Sequence, residues 1–168
     1  KYGTASVVAF QNSIGSLPTR NYNEGTFEDF EAISGEVLYD TILKERDTCY
    51  ACVVRCKRVV EVKEGPYPVD PVYGGPEYET LGTFGSYCGV GNLSAVSLAN
   101  QVCNEHGVDT IACTAVVLNT AAPAIWIQVN LVARVVARPR GTSIRSRSTR
   151  VRFFRSTSSQ ISPLVSAA

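Results

Sequence analysis

Three cysteines fall within one short stretch, Cys49-Tyr50-Ala51-Cys52-Val53-Val54-Arg55-Cys56, in the spacing C-x2-C-x3-C. A single loop that turns three thiolates toward one point can hold three corners of an iron–sulfur cube, so a [4Fe-4S] site leads the readings of this stretch. Zinc also takes four thiolate or imidazole ligands, but its usual loops supply cysteines in pairs across a long spacer, and no second pair exists here. A redox Cys-x-x-Cys from Cys49 and Cys52 is the third reading; no strand–helix–strand pattern surrounds it, and it leaves Cys56 without a role. Spacing alone leaves all three open.

The chain of 168 residues is long enough for one sizeable core, and 45% hydrophobic with 18% charged residues is ordinary for a globular domain. It opens at Lys1 in mid-pattern and holds no methionine, which reads as a fragment or processed piece. Six cysteines could form disulfides, but no signal peptide precedes them and tight clustering suits a metal better than a staple. A reducing, cytoplasmic compartment is expected. The formal net charge of +1 conceals a division: residues 1–113 hold 8 Lys/Arg against 15 Asp/Glu, whereas 114–168 hold 8 Arg and no acid.

Along the chain, Gly3 to Tyr22 mixes apolar residues with Gly, Ser, Asn and Pro and predicts a short helix or turn followed by a loop. Thr26 with Asp29 resembles a capping box, and Phe27, Phe30 and Ile33 recur at helical spacing, so a short helix is expected there. Ser34 is a fresh N-cap for a helix with Val37, Leu38, Thr41 and Ile42 on its apolar face, delivering the chain to Cys49. Arg55, Lys57 and Arg58 place cationic charge beside the cysteines, either favouring thiolates or forming a merely solvated turn. Val59, Val60 and Val62 predict a short strand, and the Pro/Gly-rich stretch 64–75 must be loop. Pro76 suits the first position of another helix with Glu77 and Glu79 in its first turn, where the helix dipole favours carboxylates. Asn92 caps a helix striped by Leu93, Val96, Ala99 or Asn100, and Cys103, ended by Gly107. His106, the only histidine, sits at its end as a surface residue, and Asp109-Thr110 caps one more helix. The expected fold is mainly α: an irregular helical domain over 1–113 with a Cys-rich loop.

Five stretches, taken in order, resemble the aldehyde ferredoxin oxidoreductases, the tungsten-containing pterin enzymes. They are Leu17-Pro18-Thr19-Arg20-Asn21-Tyr22 with Gly25 and Phe27; Ile33-Ser34-Gly35-Glu36; Asp47-Thr48-Cys49-Tyr50-Ala51-Cys52 with Arg55-Cys56; Gly75-Pro76-Glu77-Tyr78-Glu79-Thr80; and Asn104-Glu105-His106-Gly107-Val108-Asp109-Thr110-Ile111. The resemblance implies part of the helical middle domain of a larger enzyme that oxidises aldehydes to carboxylic acids at a tungsten (or molybdenum) bis-pterin and passes electrons through a [4Fe-4S] cluster to ferredoxin. It implies that Cys49, Cys52 and Cys56 ligate the cluster and that Glu79 handles protons near the metal. Asn104, Gly107, Val108 and Asp109 would belong to a pterin-binding loop, with Asn104 and Val108 where the family has aspartate and leucine. Leu98 stands where the family's intersubunit iron site needs a glutamate, and Leu98 cannot ligate iron. The family's flanking domains, one of which supplies the fourth cluster cysteine, are absent, so the fragment by itself is expected to be inactive. Homo-oligomers would be a property of the full-length protein.

From about Thr114 the resemblance stops and the composition changes: acids and lysine vanish, and arginines arrive among Ser, Thr, Val and Ala. Folded surfaces normally mix both signs. Residues 114–168 are therefore expected to lie outside the preceding fold, an apolar and then Arg/Ser-rich tail from a shifted reading frame or aberrant fusion, poorly ordered beyond Arg138. The competing function is a non-enzymatic zinc-stabilised module whose basic tail binds nucleic acid, with Phe153 and Phe154 for stacking. A third reading, a membrane helix over Ala112 to Ala133, is opposed by Asn119, Pro123, Gln128 and Asn130 within the run. The leading reading expects neither nucleic acid nor membrane.

Overall fold

Helix α4 (Leu93–His106) is the longest described element, and its ends follow from its sequence. The Asn92 side chain accepts a hydrogen bond from the Ala95 amide at 3.0 Å, satisfying one of the donors a helix start leaves open. At the other end Gly107 takes φ 63°, a left-handed conformation glycine adopts without steric cost, and the Val108 amide bonds back to the Cys103 carbonyl at 2.9 Å. Leu93, Val96, Ala99 and Cys103 are buried along one stripe. The structure, a computed structural model, describes residues 1–120, all within one compact unit.

The remaining elements are short. Helix α1 (Val7–Ser13) follows a 3-10 turn, α2 (Gly35–Thr41) precedes a hairpin of β1 (Leu43–Asp47) and β2 (Lys57–Val60), and α3 (Tyr78–Thr80) runs into a π-helical segment Leu81–Gly85. Helix α5 (Thr110–Thr120) follows α4 after the Gly107 turn. The fold is thus mainly helical, with two antiparallel strands paired Arg46 to Arg58 and Asp47 to Lys57. The core gathers Leu17, Phe27, Ile33, Leu38, Val60 and Leu81 with the α4 stripe. Each such side chain contributes about 1.5–3 kcal/mol when fully withdrawn from water. Leu98, buried in this core, has a packing role.

Three local expectations change. Thr26 does not cap a helix; a 3-10 turn, Phe30–Ile33, forms instead, and the Phe27 amide is taken by Asn12 Oδ1 at 2.7 Å. Ser34 does cap α2, through the Val37 amide at 3.2 Å, but α2 does not run to Cys49. The strand β1 intervenes, a polar run Leu43-Lys44-Glu45-Arg46-Asp47 with almost no burial, held by cross-strand pairing and supported by Lys44–Glu61 at 3.2 Å. Finally, α3 begins at Tyr78 rather than Pro76. The expected disorder beyond Arg138 and the basic arm lie outside the described residues, as does most of the run read as a membrane helix. No described helix is long and apolar enough to cross a membrane.

Candidate functional site

Two polar side chains one turn apart on α4, Gln101 and Asn104, pin the Pro/Gly-rich stretch 64–75, which is also bonded through its backbone to Val60 and Val62. Gln101 Oε1 accepts the Asp70 amide at 2.8 Å, and Asn104 Nδ2 donates to the Tyr73 carbonyl at 2.9 Å. Residues three apart on a helix share a face, so the pair acts as one clamp. The stretch then hands the chain to Glu77, Tyr78 and Glu79. The Tyr78 amide donates to Thr4 Oγ1 at 3.1 Å, and the hydroxyls of Thr80 and Thr110 meet at 3.0 Å, tying α3 to α5. Between these elements and the base of the hairpin lies a cleft of about 650 Å³, within the ordinary range for ligand pockets. Glu79, Asn104, Val108 and Asp109 line it, together with Asp47, Lys57, Arg58 and Asn100.

Asp109 is committed locally: its Oδ1 accepts the Ala112 amide at 2.7 Å and caps α5. Asn104 likewise spends its NH₂ on the Tyr73 carbonyl, which an aspartate at this position could not do. Glu79 is exposed, and its backbone carbonyl accepts Thr83 Oγ1 at 2.8 Å. Burial, then the Glu79 carboxylate, raises the neighbouring Tyr78 phenol above its ordinary value. Gly107 serves the helix end and is not among the cleft-lining residues.

Cys49, Cys52 and Cys56 all stand on the loop 48–56 that joins β1 to β2, next to the cleft-lining Asp47 and Lys57. The loop closes through the Cys52 amide on the Cys49 carbonyl at 3.1 Å and Thr48 Oγ1 on the Cys52 carbonyl at 2.6 Å. Ala51 and Arg55, each just before a cysteine, have φ of 54° and 53°. Left-handed backbone costs a side-chain-bearing residue about 1–2 kcal/mol, and such residues concentrate at ligand clamps. All three thiols are free, Cys49 exposed and the others half-buried, a donor set that suits an iron–sulfur cluster. Among the described residues no three Cys, His, Asp or Glu side chains are gathered to hold a metal ion, so the thiols share a loop but not a common point. Cys88 and Cys103 differ: burial pushes each thiol up to about 12, with the Cys113 thiol adding to the shift at Cys103. They stay protonated at neutral pH and behave as small apolar groups.

Residues 1–121 match the family model described as "Aldehyde ferredoxin oxidoreductase, domains 2 & 3". The chain belongs to the aldehyde ferredoxin oxidoreductase family. It is 39% identical over 112 residues to the tungsten-containing aldehyde ferredoxin oxidoreductase of Thermococcus kodakarensis, covering 67% of this chain and 18% of that protein. The proteins of the same name from Pyrococcus abyssi and Pyrococcus furiosus are 37% and 36% identical over the same shares. The chain thus spans 18% of the length of these curated relatives.

Several residues through which the sequence resembles the aldehyde ferredoxin oxidoreductases are structural here. Leu17 and Thr19 are fully buried, Arg20 pairs with Glu24 and Glu28, and Ser34 is a helix cap. Asn100 was legible only as part of the α4 stripe, yet it is a buried amide at the cleft. The signal that could have found it is its polarity: an asparagine four residues after Val96 on an apolar face needs partners. Asp47 carried no such signal, since only the unexpected strand β1 brings it to the cleft.

Proposed function

We propose that this chain is the cluster- and pterin-holding part of an enzyme that oxidises aldehydes to carboxylic acids, and that by itself it is inactive. The observation that carries this reading is the convergence of Glu79, Asn104, Val108 and Asp109 on one cleft beside the cysteine loop. Converting an aldehyde and water to a carboxylic acid releases two electrons and two protons, so the site needs an electron exit and a proton acceptor. A tungsten (or molybdenum) bis-pterin would supply the two-electron oxidation, and a [4Fe-4S] cluster the relay to ferredoxin. Cys49, Cys52 and Cys56 would hold three irons. Glu79, exposed at the cleft, would take the proton, a role that requires hydrogen-bond reach to substrate. The α4–α5 turn would offer backbone groups around Val108 to the pterin, while the Asn104 clamp keeps Glu79's segment in place. Free thiols suit a reducing compartment such as the cytoplasm.

Anaerobic reconstitution of the chain with iron and sulfide tests this reading by ultraviolet–visible and EPR spectroscopy. Any single Cys→Ser change at 49, 52 or 56 is expected to remove most of the cluster signal, because each thiolate holds a separate iron. A triple variant with the wild-type spectrum overturns the assignment. The loaded chain should still show no aldehyde-dependent viologen reduction, as an active site assembled from several domains loses most substrate contacts when only part is present.

A further inference from the structure

We infer that Arg58 is the positioning residue of the cysteine loop: it fixes the peptides on either side of Cys56, and its charge is left for an anionic group at the cysteines to offset. This rests on the reading that Cys49, Cys52 and Cys56 hold a cluster. Of the three cations beside the cysteines, Arg55 is exposed and Lys57 half-buried, whereas Arg58 is only 4% exposed. Its Nη1 donates to three successive carbonyls, Arg55 at 3.1 Å, Cys56 at 3.2 Å and Lys57 at 2.7 Å, and its Nη2 to the Lys1 carbonyl at 2.7 Å. The chain leaving the loop is therefore curled around one guanidinium, which sets the peptide planes on both sides of the Cys56 Cα and so the direction of its thiol.

All four acceptors are neutral. Among the described residues the ion pairs are Arg20–Glu24, Arg20–Glu28, Lys44–Glu61 and Lys63–Glu61, and none includes Arg58. The residue opposite it in the ladder is another cation, Arg46, and like charges in that position repel. Arg58 Nε is buried with no hydrogen-bond partner, and the residue lines the cleft. A buried cation in no ion pair is costly, and thiolates ligating iron would offset it from the segment it holds. Gly3 completes the arrangement. A Cβ there would stand 2.4 Å from the Cys56 carbonyl oxygen and 3.1 Å from Arg58 Cζ, so glycine lets the N-terminal segment close over the same peptide.

The test uses the full chain with Arg58→Met, Arg58→Lys and Gly3→Ala. Without iron, amide hydrogen exchange over residues 52–59 is expected to quicken tenfold or more in Arg58→Met and several-fold in Gly3→Ala, with α4 amides unchanged. In the reconstituted chain, Arg58→Met should lower the cluster's reduction potential, Arg58→Lys should keep it near wild type, and Gly3→Ala should move it least. Unchanged exchange in Arg58→Met overturns the positioning role, and an unchanged potential overturns the electrostatic one. Should Arg58→Met fail to fold, Arg58→Lys and Gly3→Ala decide through exchange at the same amides. A wild-type chain that takes up no cluster defeats the cluster reading, while the exchange measurements still decide the positioning role.

Discussion

Helix α4 lines the cleft and the cysteine loop adjoins it at Asp47 and Lys57, and the two are held in opposite ways. Helix α4 buries an apolar stripe, is capped at both ends, and pins the adjoining loop with Gln101 and Asn104. The loop 48–56 buries almost nothing: Tyr50 is 102% exposed and Val53 93%. What shapes it is backbone, with two left-handed residues, the Thr48 hydroxyl and the Arg58 guanidinium on carbonyls. A helix wall of this kind is finished before any ligand arrives, as preorganised binding requires. A loop held through its carbonyls keeps its cysteine side chains free to gather around one.

The comparison breaks most visibly in the core. Leu81, fully buried in the segment that follows Glu79, should lose about 2–5 kcal/mol of stability on replacement by alanine, from lost transfer energy and the cavity left behind. Urea unfolding followed by circular dichroism measures this. A loss below about 1 kcal/mol would mean that the Glu79 segment is not anchored by the core as described.

The same contrast explains how much the sequence disclosed. Caps are local chemistry, so Ser34, Asn92 and Gly107 could be read directly, and each does what its residue type predicts. The strand β1 could not, because a run such as Lys44-Glu45-Arg46-Asp47 carries neither helical nor alternating apolar period and is defined by its partner β2. Thr26 misled for a related reason: a long-range bond from Phe27 to Asn12 outranked a plausible cap. At the site, Glu79 and the Asn104–Asp109 turn were legible only through resemblance, since single carboxylates and amides on helix ends are ordinarily decoration. Their convergence needed the fold. The burial of Arg58 was not legible at all, because nothing in Cys56-Lys57-Arg58 tells which cation turns inward.

A smaller effect sharpens the helical side of the comparison. Asn104→Asp restores the residue expected from the family resemblance but removes the NH₂ that donates to the Tyr73 carbonyl and sets a carboxylate against it. The expected cost is about 1 kcal/mol, the net worth of one such hydrogen bond. Amide exchange over 70–75 should quicken while the α4 amides hold. If exchange there is unchanged, the Asn104 contact does not hold the loop, and Gln101 with the Val60–Gly74 and Val62–Val69 backbone bonds anchors it.

The smallest expected effect belongs to the loop, and it is the one that most directly questions its open character. Val53 is almost fully exposed, so Val53→Ser withdraws no buried apolar surface, and surface changes of this kind usually stay within about 0.5 kcal/mol. The serine variant should share the wild-type urea midpoint and, on reconstitution with iron and sulfide, the same cluster content, because Val53 is not a ligand and its φ lies outside the left-handed region. Ala51, two residues before it, is different: its φ of 54° means that Ala51→Gly should relieve strain in the folded loop. The pair therefore separates side chain from main chain. A serine variant that lost more than 1 kcal/mol would show that Val53 packs against something in solution, and the loop's own apolar side chains would then help to hold it.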